Sequence, residues 1–212
     1  MPKSALVDFS RRMTPDHLAF GTSGNMSVRV GDTVWITPSG VPFDEVGEED
    51  LAAVDLATGK WVAGTARPSS ELPLHRALYS ARPDVQAIVH THSEYATVFA
   101  ACGEPVLPVH YQLAPWQYSI ACAEYATYGS VELARNAVAA LAPDHHVVLL
   151  RNHGLLAAAA TLADAYQIAR DGEWLAQLYY RARLLGSPRI LSPEEIAAVR
   201  EQFRHYGQNP ES

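Results

Sequence analysis

Two spacings of apolar and polar positions recur along the chain, and they divide it into helices and strands. Ser4 to Met13 reads as a short amphipathic helix, and Thr14-Pro15-Asp16 as the capped start of a further turn. After the turn-rich Gly21-Thr22-Ser23-Gly24-Asn25, Met26, Val28 and Val30 alternate with polar partners. That period of two predicts a half-buried strand. Gly31-Asp32 turns the chain into a second strand, Thr33 to Thr37, completing a hairpin. A second strand pair, Val54 to Leu56 and Lys60 to Ala63, flanks Thr58-Gly59.

Farther along, the spacing lengthens to that of helices. Leu72, Leu74, Ala77 and Leu78 mark a helix with Ser70 near its N-cap, and Pro73 is tolerated in its first turn. Val85 to Thr91 predicts a strand, and Ser93 caps a helix from Glu94 to Cys102. Val147 to Arg151 and Leu155 to Ala159 predict two strands joined around Asn152-His153-Gly154. Thr161 to Leu185 is the longest helix and stops at Gly186. Ser192-Pro193-Glu194-Glu195 is a capping box with Pro at the first helical position, opening a last helix to about His205. Hairpins mixed with helices predict an α/β domain with a mixed or mostly antiparallel sheet. No repeat or linker divides the chain, so residues 1–212 are expected to form one domain, consistent with its length.

Composition narrows the classes. Sixteen basic and twenty-three acidic residues give a formal net charge of −7, with no basic stripe, which argues against a nucleic-acid partner. The longest apolar candidate, Gly154 to Leu162, is far shorter than the roughly 18 residues of a membrane span. MPKSALVDFSRRM lacks the apolar core of a signal peptide, so a cytoplasmic location is expected. Cys102 and Cys122 allow one bridge at most, which excludes a disulfide scaffold. No glycine-rich nucleotide fingerprint follows a strand.

Nine histidines beside two cysteines are the feature with chemical content. His90 and His92 sit at positions i and i+2 at a strand end, so both rings share a face and can reach one ion at about 2.0–2.1 Å. His153, in the Asn-His-Gly turn, supplies a third ligand. Three histidines leave one position open, as in a catalytic zinc site, and Glu71 is the carboxylate candidate for it. The same spacing also describes two surface imidazoles. His75, one turn beyond Glu71, reads equally as a ligand or as a helix-surface residue. His17, His110, His145, His146 and His205 carry no spacing signal and read as exposed or hydrogen-bonded. Gly24-Asn25, Thr37-Pro38-Ser39-Gly40 and Ser69-Ser70 each gather backbone N–H groups with short polar side chains, the last ahead of a helix. Each is an ordinary turn or cap by itself, but together they make a candidate oxyanion pocket beside a metal.

Seven stretches in order carry a resemblance to a known family. They are Gly21-Thr-Ser-Gly-Asn-Met-Ser27, Ile36-Thr-Pro-Ser-Gly40, Pro68-Ser-Ser-Glu71, His90-Thr-His92, Pro108-Val-His-Tyr111, Tyr125-Ala-Thr-Tyr-Gly129 and Asn152-His-Gly154. The chain resembles the class II aldolase/adducin family, in its L-fuculose-1-phosphate aldolase-like branch, over about residues 5–186. A C-terminal helix and tail follow at 192–212. The resemblance implies a three-layer α/β/α sandwich with a mixed, mostly antiparallel central sheet. It implies Zn²⁺, or another divalent metal, on His90, His92, His153 and Glu71. It also implies a phosphate pocket of Gly24, Asn25, Ser39, Gly40, Ser69 and Ser70, and a homotetramer with active sites at subunit interfaces. Tyr111 matches the branch's interface tyrosine, and Tyr206 its tail tyrosine.

The expected chemistry is cleavage of a ketose 1-phosphate to dihydroxyacetone phosphate and an aldehyde, the metal carrying the charge of an enediolate. Glu71 is expected to move the donor-carbon proton, and Tyr111 to protonate the aldehyde oxygen in the synthetic direction. The resemblance extends to sugar-phosphate 4-epimerases, methylthioribulose-1-phosphate dehydratases and sugar-acid phosphate decarboxylases. Ser93-x-Tyr95-Ala-Thr97 is epimerase-like, yet His110 to Trp116 contains no Asp, and Glu124 keeps that reading open. Trp116 and Gln117 are large for an aldolase substrate site and suggest a changed acceptor or an interface contact. A non-catalytic, adducin-head-like interaction domain is the remaining alternative, and retention of all three histidines with Glu71 counts against it.

Overall fold

The computed structural model describes residues 2–141 and 143–205. Helix α1 (Pro2–Met13) leads into β1 (Asn25–Val30), β2 (Thr33–Ile36), β3 (Ala52–Asp55) and β4 (Trp61–Ala63). Next come α2 (Leu72–Ala81), β5 (Ala87–Thr91), α3 (Glu94–Cys102), a 3-10 turn at Tyr111–Leu113, β6 (Cys122–Ala123) and α4 (Val131–Ala140). The hairpin β7 (Val147–Leu150) and β8 (Gly154–Ala159), then α5 (Leu162–Leu185) and α6 (Pro193–Phe203), complete it.

All these strands join one sheet in the order β4-β3-β2-β1-β5-β8-β7-β6. Every neighbouring pair is antiparallel except β6 with β7. The central strands are buried on both faces, and alternate residues enter opposite cores. Ala87 and Val89 of β5, with Val147 and Leu149 of β7, pack under α1, α3 and α5. Ile88, Val148, Leu150 and Leu156 pack instead against α2 and α4. The result is the expected α/β/α sandwich with a mixed, mostly antiparallel sheet. Such strands read as continuous apolar runs because neither face meets water.

Several local expectations change. The second strand pair begins two residues early at β3, and the N-cap of α2 is Glu71, next to Ser70, with no side-chain capping bond. Ser93 occupies the N-cap of α3 but makes no capping bond. The Glu173 carboxylate of α5 accepts from the N–H groups of Tyr95 and Ala96 at 2.9 and 2.8 Å in its place. The Ser192 capping box of α6 forms in full. Helix α4 and the two-residue β6 are absent from the sequence-based reading. Among the described residues, no helix is long and apolar enough to cross a membrane.

In β1 the first two polar positions do not face solvent, whereas Arg29 is partly exposed. Ser27 is fully buried and Asn25 nearly so, because α2 covers that face. The strand is buried on both faces there, one apolar and one polar.

Candidate active site

Sheet pairing assembles the site. Antiparallel register sets Asn25 of β1 opposite His90 of β5, and Thr91 opposite Leu155 of β8. His92 follows the end of β5, and His153 sits in the turn just before β8. Asn152 holds that turn with φ 53°, a conformation asparagine tolerates better than most residues. A side chain at Gly154 would collide with the Thr91 carbonyl, so glycine permits the approach that sets His153 beside His92. Gly24 has φ +91°, and a Cβ there would lie 2.7 Å from the His90 carbonyl oxygen.

The three imidazoles form a nearly regular triangle with ring centroids 4.8, 4.8 and 4.9 Å apart. His90 Nε2 lies 3.0 Å from His92 Nε2 and 3.0 Å from Glu71 Oε2, while His153 Nε2 lies 3.3 Å from Glu71 Oε1. One ligand atom from each of the four residues lies within 4.8 Å of the others. A tetrahedral ion with ligands at about 2.0–2.1 Å needs them about 3.3 Å apart, so the donor set fits one. Two further observations agree. His90 Nδ1 donates to the Leu155 carbonyl at 2.9 Å, which leaves the Nε2 lone pair facing the centre. Glu71 Oε1 is buried and has no hydrogen-bond partner among the described residues.

Electrostatics follow from the crowding. Burial pushes Glu71 up, but the charge and hydrogen bond of His90, the charge of His153 and the Asn25 bond outweigh it and hold the carboxyl low. Burial pulls His90 down, and the adjacent Glu71 carboxylate more than restores it. Burial, followed by the charge of His90, lowers His92 to about 3 and His153 to about 4. Those two rings are therefore neutral at physiological pH, the state in which imidazole binds a metal.

Beside this cluster opens a cavity of about 290 Å³. Gly24, Asn25, Ser39, Gly40, Ser69, Ser70, Glu71, His92 and His153 all line it, so the structure collects every residue expected of the phosphate pocket. Backbone bonds stitch the loops together: Ser69 N–H donates to Thr37 O at 3.2 Å and Ser39 N–H to Arg67 O at 3.0 Å. The Ser69 hydroxyl accepts from Glu71 N–H at 3.2 Å, which ties the pocket to the start of α2. No lysine or arginine is among the lining residues.

Other candidates lie elsewhere. Tyr111 sits in the 3-10 turn, 48% exposed, with its ring 4.3 Å from His110, and does not line its own chain's cavity. Tyr206 lies outside the described residues. Trp116 and Gln117 are not at the cavity. Trp116 Nε1 donates to Asp171 at 3.4 Å, and the buried Gln117 carboxamide bonds the backbone of Ser119, His146 and Val147. Within this chain those two large side chains brace the fold and do not line the cavity. Glu124 is a surface group paired with Arg151 at 3.5 Å and is also absent from the lining. His75 is neither a ligand nor a surface residue: it is completely buried, and burial first, then the charge of His90, pushes it down to about 3.

Thr22, Tyr125, Tyr128 and Asn152 line the cavity too, although no local pattern gives them a chemical role. Tyr125 and Tyr128 fall in one of the quoted stretches, but only the folded loop between β6 and α4 carries them to the cavity mouth.

Residues 4–180 match the family described as Class II Aldolase and Adducin N-terminal domain. A 5-methylthioribulose-1-phosphate/5-deoxyribulose-1-phosphate aldolase of Rhodospirillum rubrum is 39% identical over 208 residues, covering 98% of this chain and 93% of that protein. An L-fuculose phosphate aldolase of Escherichia coli O6:H1 is 40% identical, covering 95% and 94%. A solved structure of an L-fuculose 1-phosphate aldolase superposes with a TM-score of 0.91 at 39% identity, covering 96% of each chain.

Proposed function

The chain belongs to the class II aldolase and adducin family as a metal-dependent lyase, and we propose that it cleaves a ketose 1-phosphate to dihydroxyacetone phosphate and an aldehyde. The observation that carries this reading is the convergence of three imidazoles and one carboxylate beside a cavity lined by short donors. His90, His92, His153 and Glu71 would hold the metal, and zinc suits three nitrogens and a carboxylate oxygen. When bound there, the metal supplies a Lewis acid for the negative charge that develops as the carbon–carbon bond breaks.

The chain's own groups do the rest. Gly24, Asn25, Ser39, Gly40, Ser69 and Ser70 take the phosphate through backbone and side-chain donors at the start of α2. No cationic side chain is needed where such donors converge. Glu71, ionised at rest and released from the ligand set when substrate binds, takes the proton of the donor carbon in the synthetic direction and returns it on cleavage. In the synthetic direction, Tyr111 protonates the aldehyde oxygen, and a neighbouring copy in a homotetramer supplies it. Its position away from its own cavity supports that assembly. Tyr206 is proposed as a second such tyrosine from the C-terminal segment. The whole chain acts as one domain in the cytoplasm, with a small phosphorylated sugar as its partner and neither nucleic acid nor membrane.

The named relatives divide between 5-methylthioribulose or 5-deoxyribulose 1-phosphate and L-fuculose phosphate. We place this chain with an L-fuculose-1-phosphate-like substrate. The surface position of Glu124 disfavours 4-epimerisation, which calls for a further acidic group at the cavity. The test is to supply each of the three ketose 1-phosphates to the zinc-loaded protein and assay dihydroxyacetone phosphate. Release from at least one, lost on chelation and restored by zinc, is the expected outcome. An epimer or a dehydrated product in its place, or undiminished release after complete chelation, would reject the proposal.

A further inference from the structure

Behind Glu71 runs a file of buried polar side chains that the bond-breaking chemistry does not touch. Asn25 Nδ2 donates to Glu71 Oε2 at 2.9 Å, and Asn25 Oδ1 lies 2.6 Å from His75 Nε2. His75 Nδ1 lies 2.6 Å from Ser27 Oγ, which lies 2.8 Å from the Tyr79 hydroxyl. Ser27, His75 and Tyr79 are all fully buried. Apolar residues would fill the space between α2 and the sheet without the desolvation that these groups incur.

Each contact holds one proton, and elementary chemistry places it. An ionised carboxylate only accepts, so Asn25 turns its N–H toward Glu71 and its carbonyl oxygen away. That oxygen only accepts, so the ring proton of His75 sits on Nε2. A neutral imidazole has one N–H, so Nδ1 accepts from the Ser27 hydroxyl. The Ser27 oxygen accepts in turn from Tyr79. Every donor points toward the carboxylate, and reversing one link would require reversing them all.

We infer that His75 is a positioning residue: as its Nε2–H tautomer it locks the Asn25 carboxamide with its N–H side on Glu71, holding the carboxylate in its working orientation. The inference rests on Glu71 being the proton-moving group proposed above. Without His75, the Asn25 carbonyl oxygen is left buried without a donor and nothing braces the amide from behind, so its N–H side is free to drift off Glu71. Asn25 is one contact removed from Glu71, a place where loss of a partner commonly changes metal affinity or activity by about 10–100-fold, and His75 acts through it.

Neutron diffraction from the zinc-loaded, full-length protein reads the proton positions directly. Deuterium on His75 Nε2, with the Asn25 amide nitrogen facing Glu71, is expected; deuterium on Nδ1 would overturn the lock. Kinetics then separate positioning from packing. His75→Leu is expected to lower kcat and zinc affinity by about 10–100-fold with KM nearly unchanged. His75→Gln, which keeps a donor toward Asn25, is expected to regain most of that loss. A leucine variant with unaltered kcat and zinc affinity, or a glutamine variant equally impaired, would refute the role. If the leucine variant does not fold, the neutron map and the glutamine variant still decide. Glu71→Gln, assayed in parallel, is expected to lose at least about 100-fold in turnover. If it does not, the assignment of the base fails, while the proton on His75 is judged separately by its own map.

Discussion

On the α1, α3 and α5 side of the sheet, β1 presents Met26 and Val28 to an apolar core. On the α2 side the same strand presents Asn25 and Ser27 to Glu71, His75 and Tyr79. Both sides are largely buried, but they contribute differently. Apolar burial stabilises in proportion to area, whereas a buried hydrogen-bond file roughly cancels its own desolvation and gives direction in return. One face of β1 therefore holds the fold together, and the other aims a carboxylate. A core residue on the first face can be lost at the cost of stability alone. A residue in the file carries less stability and more of the site's geometry.

Substitutions on the two sides should keep these effects apart. Leu149→Ala, in the apolar core beneath α5, is expected to destabilise by about 2–5 kcal/mol. Denaturant unfolding measures that loss, and the variant's zinc content should match the parent's. Loss of zinc at a temperature where it remains folded would show that the two sides are not separable. Ser27→Ala, on the polar face, strips His75 Nδ1 of its donor and is expected to cost about 1–3 kcal/mol. Unlike the core variant, it should also lower kcat per folded molecule. An unchanged kcat would mean that the file is packing and nothing more. Ser192→Ala provides a reference away from both faces. Removing that cap of α6 is expected to cost about 1 kcal/mol, and a larger loss than at Ser27 would place more of the stability in α6 than the sheet comparison allows.

The parts legible in the sequence are those written in local spacing. His90 and His92 share a face because strand side chains repeat every two residues, and Ser192 with Glu195 form a box because a helix turn brings them together. Tertiary packing overrode local rules at two places, and two elements left too weak a local signal. The alternation in β1 implied a wet face, but α2 covers it. Ser93 had the right residue type for a cap, yet Glu173, far away in sequence, does the capping. Helix α4 buries Leu133, Ala134 and Ala137, a small apolar stripe that is easily passed over, and β6 is too short to show any period.

By itself, the sequence determined the residue types of the candidate ligands, the short-donor loops and the net acidic charge, since each depends on residue identity and near neighbours. The tertiary structure alone decided that the His153 turn meets the His90 strand end and that Asn25 stands against Glu71. It also placed His75, which by sequence reads equally as a ligand or a helix-surface residue, at the buried centre of a hydrogen-bond file. Those outcomes depend on sheet register and helix placement, which join residues tens of positions apart. No local pattern encodes which buried polar group will face which partner; only the packed layers fix the few ångströms between them.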